Sequence, residues 1–282
     1  MTGDAAPTAE SGSATESEVD RERTGGPTAT GLFGDGVTIV RENPRVLLAM
    51  VLAGCAVAVV DWVRIADPVP VVEFVGLTDG RVMVYYVVMP SVIAGRSMEL
   101  STLADLSPAW VVWVVGLECF RTAAVVLAGA SAFARALDVD LTASSLTAYS
   151  IVFGAFVGVG AFTPEISAPL IGGVVVAVLY FYVVVHLLAV PALLVDGLSI
   201  RVAISRSWGL ASGHGWSLLA VVVALGLAAH ALASLGGPVG VAAVPLAVSL
   251  VAALQVGIVV AFVRTAGSES RSGPTDRVWR SD

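Results

Sequence analysis

From Val46 onward the chain is a succession of long apolar runs separated by short polar interruptions. The runs Val46–Trp62, Ala109–Ala134, Leu146–Phe162, Ala168–Val195, Ser217–Leu235 and Val239–Val263 lack the polar stripe that a water-facing helix carries. Each is close to, or longer than, the about 20 residues of helix that cross a hydrocarbon layer of about 30 Å. The pattern predicts an all-α fold, a polytopic transmembrane helix bundle of about six spans. A weaker stretch, Val82–Ala94, is short and holds Pro90, which fits an additional re-entrant or interfacial segment rather than a crossing. Asp61, Trp62 and Arg64 close the first span, and Gly236–Gly237–Pro238 reads as the tight turn between the last two.

The flanks have the opposite character. Residues 1–30 are rich in Ser, Thr, Ala, Gly and acid, with no aromatic residue, so they bury too little to offset the entropy of ordering. This predicts a disordered acidic tail, a transmembrane domain over 31–264 and a second disordered tail over 265–282. No charged start precedes an apolar core, so no signal peptide is expected. Gly31–Pro44 is expected to lie along the surface as a short helix.

Composition adds the source and the orientation. Of all residues 57% are hydrophobic and 13% charged, about half the charge of soluble domains. All 15 cationic residues are Arg and the net charge is −7, which points to a GC-rich, salt-adapted halophile whose acidic surface stays hydrated. That balance excludes nucleic acid as a partner. Arg201, Arg206 and the four Arg residues from Arg264 onward put their loop and the C-terminus in the cytoplasm of a multi-pass cell-membrane protein. With six crossings the N-terminus, beside Arg41 and Arg45, is cytoplasmic too, and the region Asp61–Pro108 lies outside. Trp62, Trp110, Trp113 and Trp216 fall near span ends, the level that indoles favour. Cys55 and Cys119 lie inside apolar runs and read as small buried apolar residues.

Candidate chemistry is sparse. Glu118 and Arg121 sit near the middle of Ala109–Ala134 and, three positions apart, project from one helix face. A charge at the bilayer centre costs about 2.5–3.5 kcal/mol on insertion scales, so it persists only if paired, inward-facing or wetted. The pair is either an ion pair that fixes helix rotation or part of a solute or proton pathway. His186, Gln255 and His230 are further intramembrane polar groups, suited to hydrogen bonds between helices. Glu118, His186 and His230 share no helix at ligand spacing, so no metal site and no cofactor is expected. There is no GxSxG, no HExxH and no phosphate-binding glycine loop, and no enzymatic activity is expected.

The connector between the fourth and fifth spans is the most patterned segment. Asp196–Gly197 is a turn signal, and Leu198–Leu210 then forms an interfacial helix with Ile200, Ile204 and Trp208 on one face. Arg201 and Arg206 are candidate lipid headgroup contacts, worth about 1 kcal/mol each near an anionic surface. With a span ending at Pro191, the acidic turn, Ala203, Ser205, Ser207 and a glycine-containing exit, the connector resembles the membrane domain associated with glycerophosphoryl diester phosphodiesterases. It is also similar to related haloarchaeal polytopic membrane proteins of unassigned activity. The resemblance implies an all-helical membrane anchor or a transport-related module; it carries no hydrolase residues. The expected function is a non-enzymatic scaffold or lipid-organising module, with the bilayer as partner and the N-terminal tail open to a protein partner. The alternative is a transporter or channel with a midplane pathway at Glu118, Arg121 and His186.

Overall fold

The computed structural model describes residues 27–67, 72–73, 90, 96–97, 106–161, 170–239 and 243–271. Its helices are α1 (Ala29–Glu42), α2 (Pro44–Ala66), α3 (Pro108–Leu137), α4 (Ala143–Ala161), α5 (Leu170–Leu187), α6 (Val190–Val195), α7 (Ile200–Ala211), α8 (Gly215–Val239) and α9 (Ala243–Arg271). The tails 1–26 and 272–282, the segment Val82–Ala94 other than Pro90, and the loop Thr163–Ser167 lie outside the described residues. Five stretches are long and apolar enough to cross a membrane: Pro44–Arg64, Pro108–Leu137, Val178–Val195, Gly215–Ala233 and Ala243–Ser268. A sixth apolar helix, Ala143–Val157, is shorter. The fold is an all-α bundle, as expected.

Local chemistry sets the helix ends. The Thr28 hydroxyl accepts from the Gly31 N–H at 3.2 Å and opens α1. Asn43 closes α1 by donating its side-chain amide to the Ile39 carbonyl at 3.0 Å, and Pro44, which needs no N–H, starts α2. Pro191 has no N–H to offer the Leu187 carbonyl. The helix in the apolar run 168–195 is therefore interrupted at Leu188–Ala189, which divides α5 from α6. Gly197, at φ 91°, ends α6: its N–H reaches the Leu194 carbonyl while the Leu198 N–H reaches Leu193, both at 3.1 Å.

Two boundaries differ from expectation. The Gly236–Gly237–Pro238 run is the last turn of α8, because Pro at a helix end forfeits only one ladder bond; the reversal follows Val239. Helix α9 continues to Arg271, so residues 265–271, expected in the tail, are helical. Between α2 and α3, Val72 pairs with Ser97 and Glu73 with Arg96 in a two-residue antiparallel ladder (β1, Val72–Glu73; β2, Arg96–Ser97). That ladder sets the flanks of the Val82–Ala94 region side by side, at one end of the bundle.

Packing centres on α9, which touches α1, α2, α3 and α8, while α2 also lies along α3. Leu32, Gly36 and Ile39 form the buried stripe of α1. A Cβ on Gly257 would overlap the Gly36 carbonyl oxygen, and one on Gly54 would stand 3.0 Å from the Pro245 carbonyl oxygen. Such small-residue approaches hold helices together where the solvent is itself apolar. Cys55 and Cys119 are both exposed, facing away from the packed interior rather than buried in it as expected. A thiol is apolar enough to face lipid without a partner.

Tyr149 is fully buried with its hydroxyl against Gly129 and without a hydrogen-bond partner. Its ring lies 6.4 Å from that of Phe133. Replacing Tyr149 by Phe should therefore raise stability by about 1 kcal/mol, since an unpaired buried hydroxyl is removed. Gly129→Ala should lower stability by about 1–3 kcal/mol through overpacking. In the double variant the Gly129→Ala penalty should shrink, measured by thermal unfolding in one detergent; full additivity would mean that the two groups do not press on each other.

Candidate functional site

Two polar centres occupy opposite ends of the bundle. At the first, the C-terminal turns of α2 meet α3. Arg64, with 3% of its side chain exposed, donates Nη2 to Glu118 Oε1. Arg121 donates its own Nη2 to Glu118 Oε2 at 2.5 Å, the i,i+3 contact expected from the sequence. Glu118 is 32% exposed and Arg121 23%. Asp61, fully buried one turn before Arg64, lies within electrostatic range of Arg121. Beyond the ion pairs, Trp113 Nε1 donates to Asp67 Oδ2 at 3.0 Å. The centre is thus a bridged carboxylate between two guanidinium groups, with a second acid beside it.

Arg64 lies in the last turn of α2, so Glu118, ten residues into α3, stands opposite that turn. Trp62, Trp110 and Trp113 are exposed at this level and mark one interface. At 1.5 Å per residue Glu118 lies about 7.5 Å, and Arg121 about 12 Å, along α3 from Trp113. In an apolar layer of about 30 Å, those rises leave Glu118 about halfway to the centre and Arg121 close to it. Sequence reading paired Glu118 with Arg121 but left Arg64 and Asp61 as a mere span boundary. The signal was present: with Asp61–Pro108 on one side of the membrane, the end of the first span and the start of the second share a level.

At the opposite end lies α7. Arg264 donates Nη2 to the Ala136 carbonyl at 2.7 Å, capping α3, and two residues earlier Phe262 carries the His214 ring edge-on at 6.4 Å. His214 follows α7 directly. The docked face of α7 is Ala203, Ser207, Leu210 and Ala211. Small side chains let α7 approach closely, and Ser207 Oγ donates to the His186 carbonyl at 2.6 Å beside the α5–α6 break. Ile204 and Trp208 consequently point outward, and Arg201 and Arg206 are both exposed.

His186 belongs to this second centre. Its ring stacks 4.3 Å from Trp208 and 4.2 Å from Tyr182, and its Nδ1 bonds the Tyr182 carbonyl at 2.8 Å. The structure therefore does not bring His186 to Glu118 and Arg121; a pathway joining them would run the length of the bundle. Gln255 is buried in α9, and His230 in α8 has a buried Nε2 without a hydrogen-bond partner. Among the described residues no three His, Cys, Asp or Glu side chains gather as a metal set.

The Arg residues divide by end. Arg41 and Arg45 flank the start of α2, Arg135 ends α3, and Arg201, Arg206 and Arg264 complete one exposed group at the α7 end. Arg64, Arg121 and the Arg96 of β2 belong to the other. No family model, no curated protein and no solved structure matches the chain.

Arg64 is far more buried than Arg121, so the two ion pairs should differ in strength. Arg64→Gln should destabilise by about 3 kcal/mol, because it strands Glu118 opposite a buried neutral group. Arg121→Gln should cost about 1 kcal/mol, being partly exposed and still leaving the Arg64–Glu118 pair. Double-mutant cycles with Glu118→Gln, read by thermal unfolding, check the order; equal coupling energies would contradict it.

Proposed function

We propose that this chain is a non-enzymatic, multi-pass module of the cell membrane that gathers anionic lipid headgroups at its Arg-bearing end. The observation that carries the reading is the docking of α7. Its small-residue face is spent on the bundle, which leaves Arg201, Arg206 and Ile204 exposed, with Trp208 stacked on His186 and still partly exposed. An aromatic ring at the headgroup level beside guanidinium groups is the composition of an interfacial lipid-binding helix. Arg41, Arg45, Arg135 and Arg264 extend the same cationic end. The proposed orientation follows from this asymmetry: the Arg-rich end, with both termini, faces the cytoplasm across six crossings, α4 being counted as one. The role agrees with the membrane anchor implied by the resemblance of the α6–α7 connector to the phosphodiesterase-associated membrane domain. The N-terminal tail would project on the same side, available to a protein partner.

The full chain placed in phosphatidylcholine nanodiscs, with and without phosphatidylglycerol, tests the reading. Wild type should unfold at a higher temperature when phosphatidylglycerol is present. The Arg201→Gln/Arg206→Gln variant should lose about 2 kcal/mol of that increment while unfolding normally in pure phosphatidylcholine. Retention of the whole increment would sink the proposal. Orientation is checked separately: protease applied outside intact cells should leave residues 1–30 uncleaved.

A further inference from the structure

The centre between α2 and α3 holds more hydrogen-bond donors than it uses. Each guanidinium presents five N–H donors and cannot shed its charge inside a protein. Glu118 occupies one Nη2 of each arginine. Arg64 Nε, Arg64 Nη1 and Arg121 Nη1 are buried and have no hydrogen-bond partner. Leaving such donors unmade in an apolar layer costs free energy unless an acceptor is available for part of the time. Two planar forks converging on one point match a carboxylate or a phosphate better than any other ligand class.

The position is reachable. Between Pro108 and Ala124, Val114 is the only buried residue of α3, so this half of the helix is open alongside the centre. Glu118 is the most exposed member of the triad and the one free to swing outward from its helix. With Glu118 in place, two cations face Asp61 and Glu118; with Glu118 swung out, one monoanion restores the same balance.

We propose that Arg64 and Arg121 form an oxyanion-binding site between α2 and α3, in which Glu118 is a resident counter-ion that an incoming carboxylate or phosphate group displaces. The phosphodiester of an acidic lipid entering from the open face and a free anion entering from the aqueous side share this chemistry. The site lies at the other end of the bundle from α7 and does not depend on the headgroup contacts of Arg201 and Arg206.

Glu118→Gln makes the test directional, because it removes the competing carboxylate and keeps both arginines. The full-length variant is unfolded thermally in pure phosphatidylcholine nanodiscs while inorganic phosphate, or acetate, is titrated at constant ionic strength with chloride. Expected is a lowered melting temperature that phosphate recovers at about one-tenth of the concentration at which it acts on wild type. The Arg121→Gln/Glu118→Gln variant should show no such recovery. If phosphatidylglycerol in the disc restores Glu118→Gln and free phosphate does not, the lipid phosphodiester is the ligand. A Glu118→Gln protein no more anion-responsive than Arg121→Gln/Glu118→Gln overturns the proposal. Should Glu118→Gln fail to fold, Arg121→Gln, which keeps the Arg64–Glu118 pair, decides: loss of the wild-type phosphate response supports the site and an undiminished response refutes it. The same titration in an Arg201→Gln/Arg206→Gln background should be unchanged, so failure of either reading is seen apart from the other.

Discussion

In a bilayer an apolar side chain gains little by leaving lipid for another helix, because lipid tails are as apolar as leucine. Helices are held instead by close-range dispersion, which needs backbones near one another, and by the few polar contacts available. In this chain the first requirement is met along α9. Gly257 lets the Gly36 backbone of α1 approach until no Cβ fits between them, and Gly54 of α2 admits the Pro245 carbonyl and Ser249. The consecutive helices α1 and α2 are thereby seated on α9, which is far from both in sequence, and α3 is positioned through α2 and through the Arg264 cap on Ala136. Both candidate sites inherit their geometry from this seating. Arg64 meets Glu118 only because α2 has a fixed depth and rotation against α3.

The polar contacts serve the second requirement and also show where the packing requirement relaxes. The half of α3 that follows Ala124 is mostly buried, whereas the half that precedes it is mostly exposed. The charged centre falls in the exposed half, where neighbouring helices do not close around it. A structural ion pair would be placed most economically in the well-packed half, where its geometry is held on all sides. Its location in the open half, with donors left over, is the physical reason to read it as a site that accepts a ligand.

Much of the fold was legible in the sequence because the lipid constraint is simple: a helix must be long and apolar, and the runs were. Boundaries were less legible where they depended on what the chain does next. Pro191 was visible, but the Ser207 hydroxyl that meets the His186 carbonyl beside the break lies 21 positions away in the chain. The face by which α7 docks on the bundle was not legible for a related reason. Periodicity finds the most apolar stripe, Ile200–Ile204–Trp208, yet close packing in a membrane selects the smallest stripe, Ala203–Ser207–Ala211. Glu118 and Arg121 were legible as a pair from their spacing alone. Arg64 was not, since its partnership lies 54 positions away in the chain and follows from helix depth rather than from pattern.

The two arginine populations respond to salt to different degrees, and that bears on how one protein uses both ends. At molar salt the screening length falls to about 3 Å, so the exposed group at the α7 end retains only direct headgroup contacts and loses long-range attraction. Arg64 and Arg121 are shielded from the bulk electrolyte by α2, α3 and the apolar layer, and their hold on an oxyanion is screened far less. At high salt the buried centre would therefore discriminate among anions while the exposed end mainly fixes orientation. An absolute preference for Arg over Lys suits both tasks: the guanidinium is less tightly hydrated than an ammonium, so it enters an apolar layer at lower cost, and its fork recognises a carboxylate or phosphate by shape as well as by charge.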